Sequence, residues 1–323
     1  VTSDSGLISC GRSENHQYLV RLDKNKMTVL DFSAEMSGVF TSAWFDTSGY
    51  ITGGSTNGKM LLMRHSKTGR ILWEKTIDPG FNVDQTQLLH LDNGNFLALG
   101  SAGQDTINAN SCGLLFFSFD STGQVINDQK YTSGFFVASY EAALDNSGNI
   151  YMALTRKEKS SEPRAAVAKF NNLYQRIWEQ ELANNPDYGA AALAIIHNGS
   201  GEVYVAGKTE LPSDGGVRNN SFIASITDAG SLNWKKYPEN SNSGTALLLN
   251  SGGEIVMLNM NCFIVNVLDP ARGDDGGRIR MFDVCDPYNT DAIASDFDLT
   301  VDNDFVLAGS RGGSFYIAVK SMQ

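Results

Sequence analysis

Positive charge, cysteine, proline and long apolar runs are all scarce in this chain. Lysine and arginine number 25 against 36 aspartates and glutamates, a formal net charge of −11. Nucleic acid and anionic membrane surfaces attract the opposite sign, so neither is expected as a partner. No apolar run approaches the roughly twenty residues a membrane-spanning helix requires, and membrane insertion is not expected. Four cysteines (Cys10, Cys112, Cys262, Cys285) are too few for a disulfide scaffold, and none lies in a C-x-x-C motif. Four histidines (His16, His65, His90, His197) fall on different stretches of chain. Neither a histidine-rich metal centre nor a histidine-activated nucleophile is visible in that spacing, and no cofactor is expected. The first residues are Val1-Thr2-Ser3-Asp4, without an initiator methionine, as expected of a processed or trimmed chain from which any export signal has been lost upstream.

What is abundant is glycine, 32 residues against 7 prolines, and it punctuates a repeat. One unit reads as an apolar strand, a tight turn of the type Asp-x-x-Gly, a strand ending in a small residue, a third strand, another turn and a fourth strand. The first turn recurs at Gly6, Gly49, Gly94, Gly148, Gly201, Gly253 and Asp304, at spacings of 43, 45, 54, 53, 52 and 51 residues. After it come short apolar runs such as Phe96-Leu97-Ala98-Leu99-Gly100 and Val203-Tyr204-Val205-Ala206-Gly207. Runs of that length without alternation mark strands buried on both faces. Aspartate, asparagine and glycine at the turns supply local hydrogen bonds and positive φ. The fourth strands carry Trp73, Trp178 and Trp234, bulky enough to cover the gap between neighbouring sheets.

Units such as 201–234 (GEVYVAG…NSFIASITDAGSLNW) and 49–73 (GYITGGS…GKMLLMRHSKTGRILW) resemble the repeats of exported and lipoprotein-anchored bacterial β-propellers, and the TG-x-x-x-W ending is similar to quinoprotein-type repeats. The Gly-His…Trp-Asp signature of WD repeats is missing, and Ile126-Asn127 stand where the third unit should carry its tryptophan. The resemblance implies an all-β fold, a seven-bladed β-propeller of four-stranded antiparallel blades spanning 1–323 as one domain, with six or eight blades as alternatives. The strand count is three in the first unit, four in each of five middle units and three in the last, 26 in all. The first unit lacks its inner strand and the last its outer one.

In such a blade the first–second and third–fourth turns share one face, while the second–third loops and the connectors share the other. The second set reads as long and irregular, at 102–111, 156–164 and 209–220 and in the connectors 78–84, 182–189, 237–244 and 286–295. Loops on a rigid scaffold carry function. Basic residues gather just past the second strands: Arg12, Arg156, Lys208 and Arg311. They form a candidate site for a carboxylate or sulfate, unless they pair with the nearby Glu14, Glu158 or Glu210. Glu141 and Asp298 occupy matching inner-strand positions and are the candidate acid/base pair for glycan chemistry. The resulting expectation is a monomeric, non-catalytic binding or scaffold propeller at the cell surface or in the periplasm, its ligand a glycan or a protein. The alternative is a glycan-active hydrolase or lyase at the propeller mouth.

Cys262 is read at the start of a third strand and Cys285 at the end of the fourth, so antiparallel pairing would bring them to disulfide distance, about 4.4–6.8 Å between Cα atoms. Peptide mass mapping without reductant should recover a Cys262–Cys285 crosslink with Cys10 and Cys112 as thiols. Four free thiols in oxidised protein would count against both the pairing and the exported compartment.

Overall fold

The computed structural model describes residues 7–13, 16–23, 28–35, 38–46, 48–101, 113–132, 136–157, 162–182, 189–213, 216–238, 244–250, 252–259, 264–271, 273, 275–280, 292–299, 305–311 and 314–320. Among them are 26 strands and no helix, hence no helix long and apolar enough to cross a membrane. The strands form seven antiparallel sheets, each a simple meander. Sheet one holds β1 (Leu7–Ser13), β2 (His16–Leu22) and β3 (Thr28–Glu35). Sheet two holds β4 (Val39–Asp46), β5 (Gly49–Thr56), β6 (Lys59–Ser66) and β7 (Ile71–Ile77), and sheet three β8 (Gln85–His90), β9 (Phe96–Ser101), β10 (Gly113–Phe119) and β11 (Val125–Thr132). Sheet four comprises β12 (Phe136–Leu144), β13 (Ile150–Lys157), β14 (Arg164–Phe170) and β15 (Arg176–Glu181). Sheet five comprises β16 (Ala190–His197), β17 (Glu202–Ser213), β18 (Gly216–Thr227) and β19 (Leu232–Lys236). Sheet six has β20 (Gly244–Leu249), β21 (Ile255–Asn259), β22 (Ile264–Leu268) and β23 (Asp275–Arg280); sheet seven has β24 (Ala292–Leu299), β25 (Phe305–Arg311) and β26 (Ser314–Lys320). The three–four–three strand count read from the repeat is the one observed. The chain divides into two compact units, Val1–Ala138 and Ser139–Gln323.

Within each unit the first strand of one sheet packs over the second and third strands of the sheet before it: β4 on β1 and β2, β16 on β13 and β14, β20 on β17 and β18. That packing explains the unbroken apolar runs. Every residue of β9 and β10 is buried, whereas every residue of the fourth strands β7, β15 and β19 is partly or fully exposed. One core cluster joins Tyr151, Ala153 and Val167 of sheet four to Ala192, Ile195, Val205 and Phe222 of sheet five. Another joins Ile51, Met60 and Leu62 of sheet two to Leu88, Phe96, Leu115 and Phe119 of sheet three.

Two bulges recur. In the first strand, one residue slips out of register between Phe40 and Ser42, Ala192 and Ala194, Gly244 and Ala246, and Ala294 and Asp296. In sheet two the extra residue is Thr41. Its hydroxyl donates to Thr86 O (2.6 Å) and accepts from Thr86 N (3.0 Å), while Ser42 Oγ accepts from Leu88 N (3.0 Å). The bulge thus ties one first strand to the next. The second bulge lies where the fourth strand starts, so that Leu72, Ile126 and Ile177 oppose no residue of the third strand. These residues are about half exposed, at 48%, 54% and 53%. A bulge re-aims the side chain that follows it, and that side chain is Trp73 in sheet two and Trp178 in sheet four.

Each re-aimed indole caps the next sheet. Trp73 Nε1 donates to Ser121 O (3.3 Å), Trp178 Nε1 to Asp228 O (2.9 Å) and Trp234 Nε1 to Pro270 O (3.2 Å). All three acceptors lie in the third–fourth turn of the following sheet, and the turn glycine sits beneath the ring. A Cβ on Gly230, whose φ is +89°, would lie 2.9 Å from Trp178. Gly253 has a similar φ of +78° but nothing within 4 Å. Gly253→Ala should therefore cost only the left-handed backbone penalty, about 1–2 kcal/mol. Gly230→Ala adds overpacking and should cost about 2–4 kcal/mol in total. Urea denaturation midpoints of the two variants compare them directly; equal losses would mean that the indole does not press on the turn.

Candidate functional site

The densest group of polar chemistry lies on the tight-turn face of sheets four and five. Asp145 opens the β12–β13 turn, and its carboxylate accepts from the backbone of Ser147 (2.8 Å) and Asn149 (2.9 Å) and from Asn149 Nδ2 (2.7 Å). Asp228 lies in the β18–β19 turn, where its N–H donates to Gly201 O (2.8 Å) and its carbonyl accepts the Trp178 indole. Between them stand Tyr151 of β13 and Lys169 of β14. The Tyr151 hydroxyl donates to Asp228 Oδ1 and lies 3.3 Å from Asp145 Oδ2. Lys169 Nζ donates to Asp228 at 2.5 Å and lies 4.0 Å from Asp145 Oδ2. The His197 ring, at the end of β16, stacks on Tyr151 with centroids 5.1 Å apart, and its Nδ1 accepts from Gly199 N (3.0 Å).

The electrostatics follow from burial and these partners. Hydrogen bonds from Lys169 and Tyr151 hold the Asp228 carboxyl below its usual range. Burial pushes Asp145 upward, but the bonds from Asn149 and Ser147 and the Lys169 charge outweigh it and leave it lowered. Burial followed by the bond to Asp228 raises the Tyr151 phenol, and burial lowers His197. The ligand atoms of Asp145, His197 and Asp228 lie within 4.8 Å of one another, close enough to share a cation. The Lys169 ammonium already stands on that carboxylate pair, so a divalent ion would meet a like charge there. The arrangement joins two sheets through a buried cation. Sheet two has a related pair inside one sheet: Arg64, at the position matching Lys169 opposite the tryptophan, donates to both oxygens of Asp46 at the end of β4 (2.8 and 2.9 Å).

The residues singled out from sequence do not gather into one described site. Arg156 is held by Glu179 of β15 (2.6 Å), a partner across the sheet rather than Glu158, which lies outside the described residues. Glu141 Oε2 accepts from Ile195 N of β16 (2.8 Å), a bond between first strands, so this carboxylate braces the scaffold instead of standing in open solvent. Lys208 is exposed on β17 opposite Ala191. Arg12 and Arg311 close their second strands, paired in register with Gln17 and Ser314, and Asp298 pairs with Val306. Cys262 and Cys285 lie outside the described residues; Cys10 packs beside Leu19, Phe45 and Tyr50.

The expected contrast between economical and irregular faces also needs correction. The β1–β2, β5–β6 and β25–β26 connections are tight, pairing Ser13 with His16, Thr56 with Lys59 and Arg311 with Ser314. The segment 209–220, expected as a loop, is a ladder running from Thr209↔Asn220 to Ser213↔Gly216. Backbone pairing of Thr209–Ser213 with Gly216–Asn220 has overridden the Gly- and Asn-rich composition of the segment.

Solved structures share this arrangement of sheets. The WD40 domain of Pan2 from Neurospora crassa aligns with a TM-score of 0.64 at 9% identity, covering 99% of this chain and 91% of that one. The WD40 β-propeller domain of Doa1 aligns at 0.62 with 13% identity, covering 99% and 90%. The chain is a β-propeller. A protein of unknown function from Bacteroides caccae aligns at 0.51 with 14% identity, covering 82% and 83%. No family model and no curated protein matches the sequence. At such identities the fold is shared while sites are not carried over.

The blade-four to blade-five clamp yields an expectation in acid. Asp145 and Asp228 titrate below their unfolded range, so the stability they contribute is complete above about pH 4 and is lost as pH falls through their lowered folded values. Asp228→Asn should flatten that acid limb. Lys169→Met leaves two carboxylates facing each other and should cost about 1–3 kcal/mol, less than a fully buried pair because Asp228 is 51% exposed. Thermal unfolding across pH 3–7 reads both effects.

Proposed function

We propose that this chain is a non-catalytic binding or scaffold propeller whose partner is a protein, engaged on the face of the second–third loops and connectors. The observation that carries this reading is the reach of β17 and β18. Pairing with β16 stops at Thr209, and pairing with β19 stops at Ile223, yet the two strands continue together to Ser213 and Gly216. A two-stranded ribbon standing beyond its sheet is marginal by itself, and its backbone edges are the groups that strand addition by a partner uses. A non-catalytic role agrees with the occupation of Glu141 and Arg156 by scaffold bonds. We place the protein outside the cytoplasm, at the cell surface or in the periplasm, on the likeness of its repeats to exported propellers.

A glycan is the second reading, and one observation favours it. On the opposite face of blade two the Trp44 indole is 36% exposed and stacks in parallel on His90, with centroids 5.1 Å apart. Such a plane suits a sugar ring.

Replacing 211–218 by an Asn-Gly turn separates the two. Glu210 keeps its backbone bond to Gly189, so unfolding free energy should change by less than about 0.5 kcal/mol. In the parent chain a photo-crosslinker at Arg218 should capture a protein from the source cells that one at Asn233 does not, and ribbon removal should abolish its binding. A glycan array ligand lost on Trp44→Ala but indifferent to the ribbon would overturn the protein reading.

A further inference from the structure

Lys235 differs from the cations Arg64, Arg156 and Lys169 among the described residues of this acidic protein. It leaves β19 toward the groove between blades four and five. Its Nζ donates to the main-chain carbonyl of Leu182, just past β15. The same nitrogen sits 4.8 Å from the Phe222 ring centroid and 5.2 Å from that of Tyr237. The nearest element ending in an acid, β15, has its Glu181 carboxylate on Arg164 at 3.2 Å. No carboxylate among the described residues pairs with Lys235. By contrast, Arg64, Arg156 and Lys169 each hold an acid. Its neighbour Lys236 is exposed, whereas Lys235 is half-buried.

A lysine amine desolvated against aromatic rings, with no counter-ion among the described residues to hold its proton, is the arrangement that turns an ammonium into a nucleophile. We propose that Lys235 is a site of covalent acylation by activated acyl donors of the acyl phosphate class. The unprotonated Nζ attacks the acyl carbon, the N–C bond forms, and the C–O bond to phosphate breaks with its electrons on the leaving oxygen. The nitrogen's surplus proton ends on the released phosphate. The product amide is neutral, so it occupies the space between Phe222 and Tyr237 without the cost of a buried unpaired charge, and one N–H remains to meet Leu182 O. The reaction is therefore favoured by the folded state, in contrast to acylation of a paired lysine, which would strand its acid.

Burial alone lowers the Lys235 pKa to about 8. At pH 7.5 about a quarter of such amines are free base, against about one in a thousand for an ordinary lysine. Acetyl phosphate, a small probe, should acetylate Lys235 about ten-fold faster than Lys236, after allowing for the lower nucleophilicity of a weaker base. Peptide mass spectrometry reads both sites in the same tryptic map. The Lys235 rate should level off above about pH 8, where the exposed lysines continue to climb. Lys235→Gln, which resembles the acetylated side chain, should unfold at a temperature no lower than the parent. Equal or slower labelling of Lys235, or a rate still rising in parallel with Lys236 to pH 10, would overturn the proposal. A destabilised Lys235→Gln would overturn the claim that the neutral product is accommodated.

Discussion

The bond from an indole to the next blade's turn is the contact on which the stacking of these sheets depends. A propeller blade is a twisted meander with two apolar faces, and apolar burial by itself does not choose a sliding position. Trp73, Trp178 and Trp234 supply the choice, since each donates a directional hydrogen bond to one carbonyl in the following third–fourth turn. The ring also lies on a glycine whose added Cβ would approach it to between 2.5 and 3.1 Å. Two conditions must coincide: a bulge that turns the indole out of its own sheet, and a glycine that lets it land.

Beneath this contact each blade must satisfy polar groups that the turns bring indoors. Blades two and four do it with a cation on an aspartate, Arg64 on Asp46 and Lys169 on Asp228. Blade five does it without formal cations: Tyr204 donates to Glu202 (2.7 Å), and Asn233 bridges Glu202 and Ser225. Partnered charges cost less than unpartnered ones, so these clusters read as scaffold. The same criterion makes Lys235 stand out, because its partners are a carbonyl and two rings.

The division of labour between faces follows. The tight-turn face is where the indoles, aspartates and third-strand polar residues interlock. The opposite face carries connectors and second–third turns whose backbone bonds are shorter in range, such as Val83 N to Gly58 O and Ala190 N to Pro163 O. Chain added there disturbs little packing, since loop closure costs grow only logarithmically. The β17–β18 ribbon grows from that face.

The repeat, the number of strands in each sheet and the packing role of the tryptophans were legible from the sequence, because they rest on short apolar runs and on a period of about fifty residues. A glycine after an aspartate states a turn, and an apolar run of five states a strand buried on both sides, wherever the rest of the chain goes. The bulges, the ribbon at 209–220 and the partners of Arg156 and Glu141 were not legible. Each depends on register between strands, and a slip of one residue reverses which face a side chain takes without altering composition. Glu141 reaches a backbone nitrogen 54 positions away, and Lys169 an aspartate 59 positions away. The chain by itself determined what each segment would become. Which charge met which, and which lysine came to rest on a carbonyl and two rings, was decided only when sheets remote in sequence were stacked, since Coulombic and hydrogen-bond energies depend on distances that no local pattern contains.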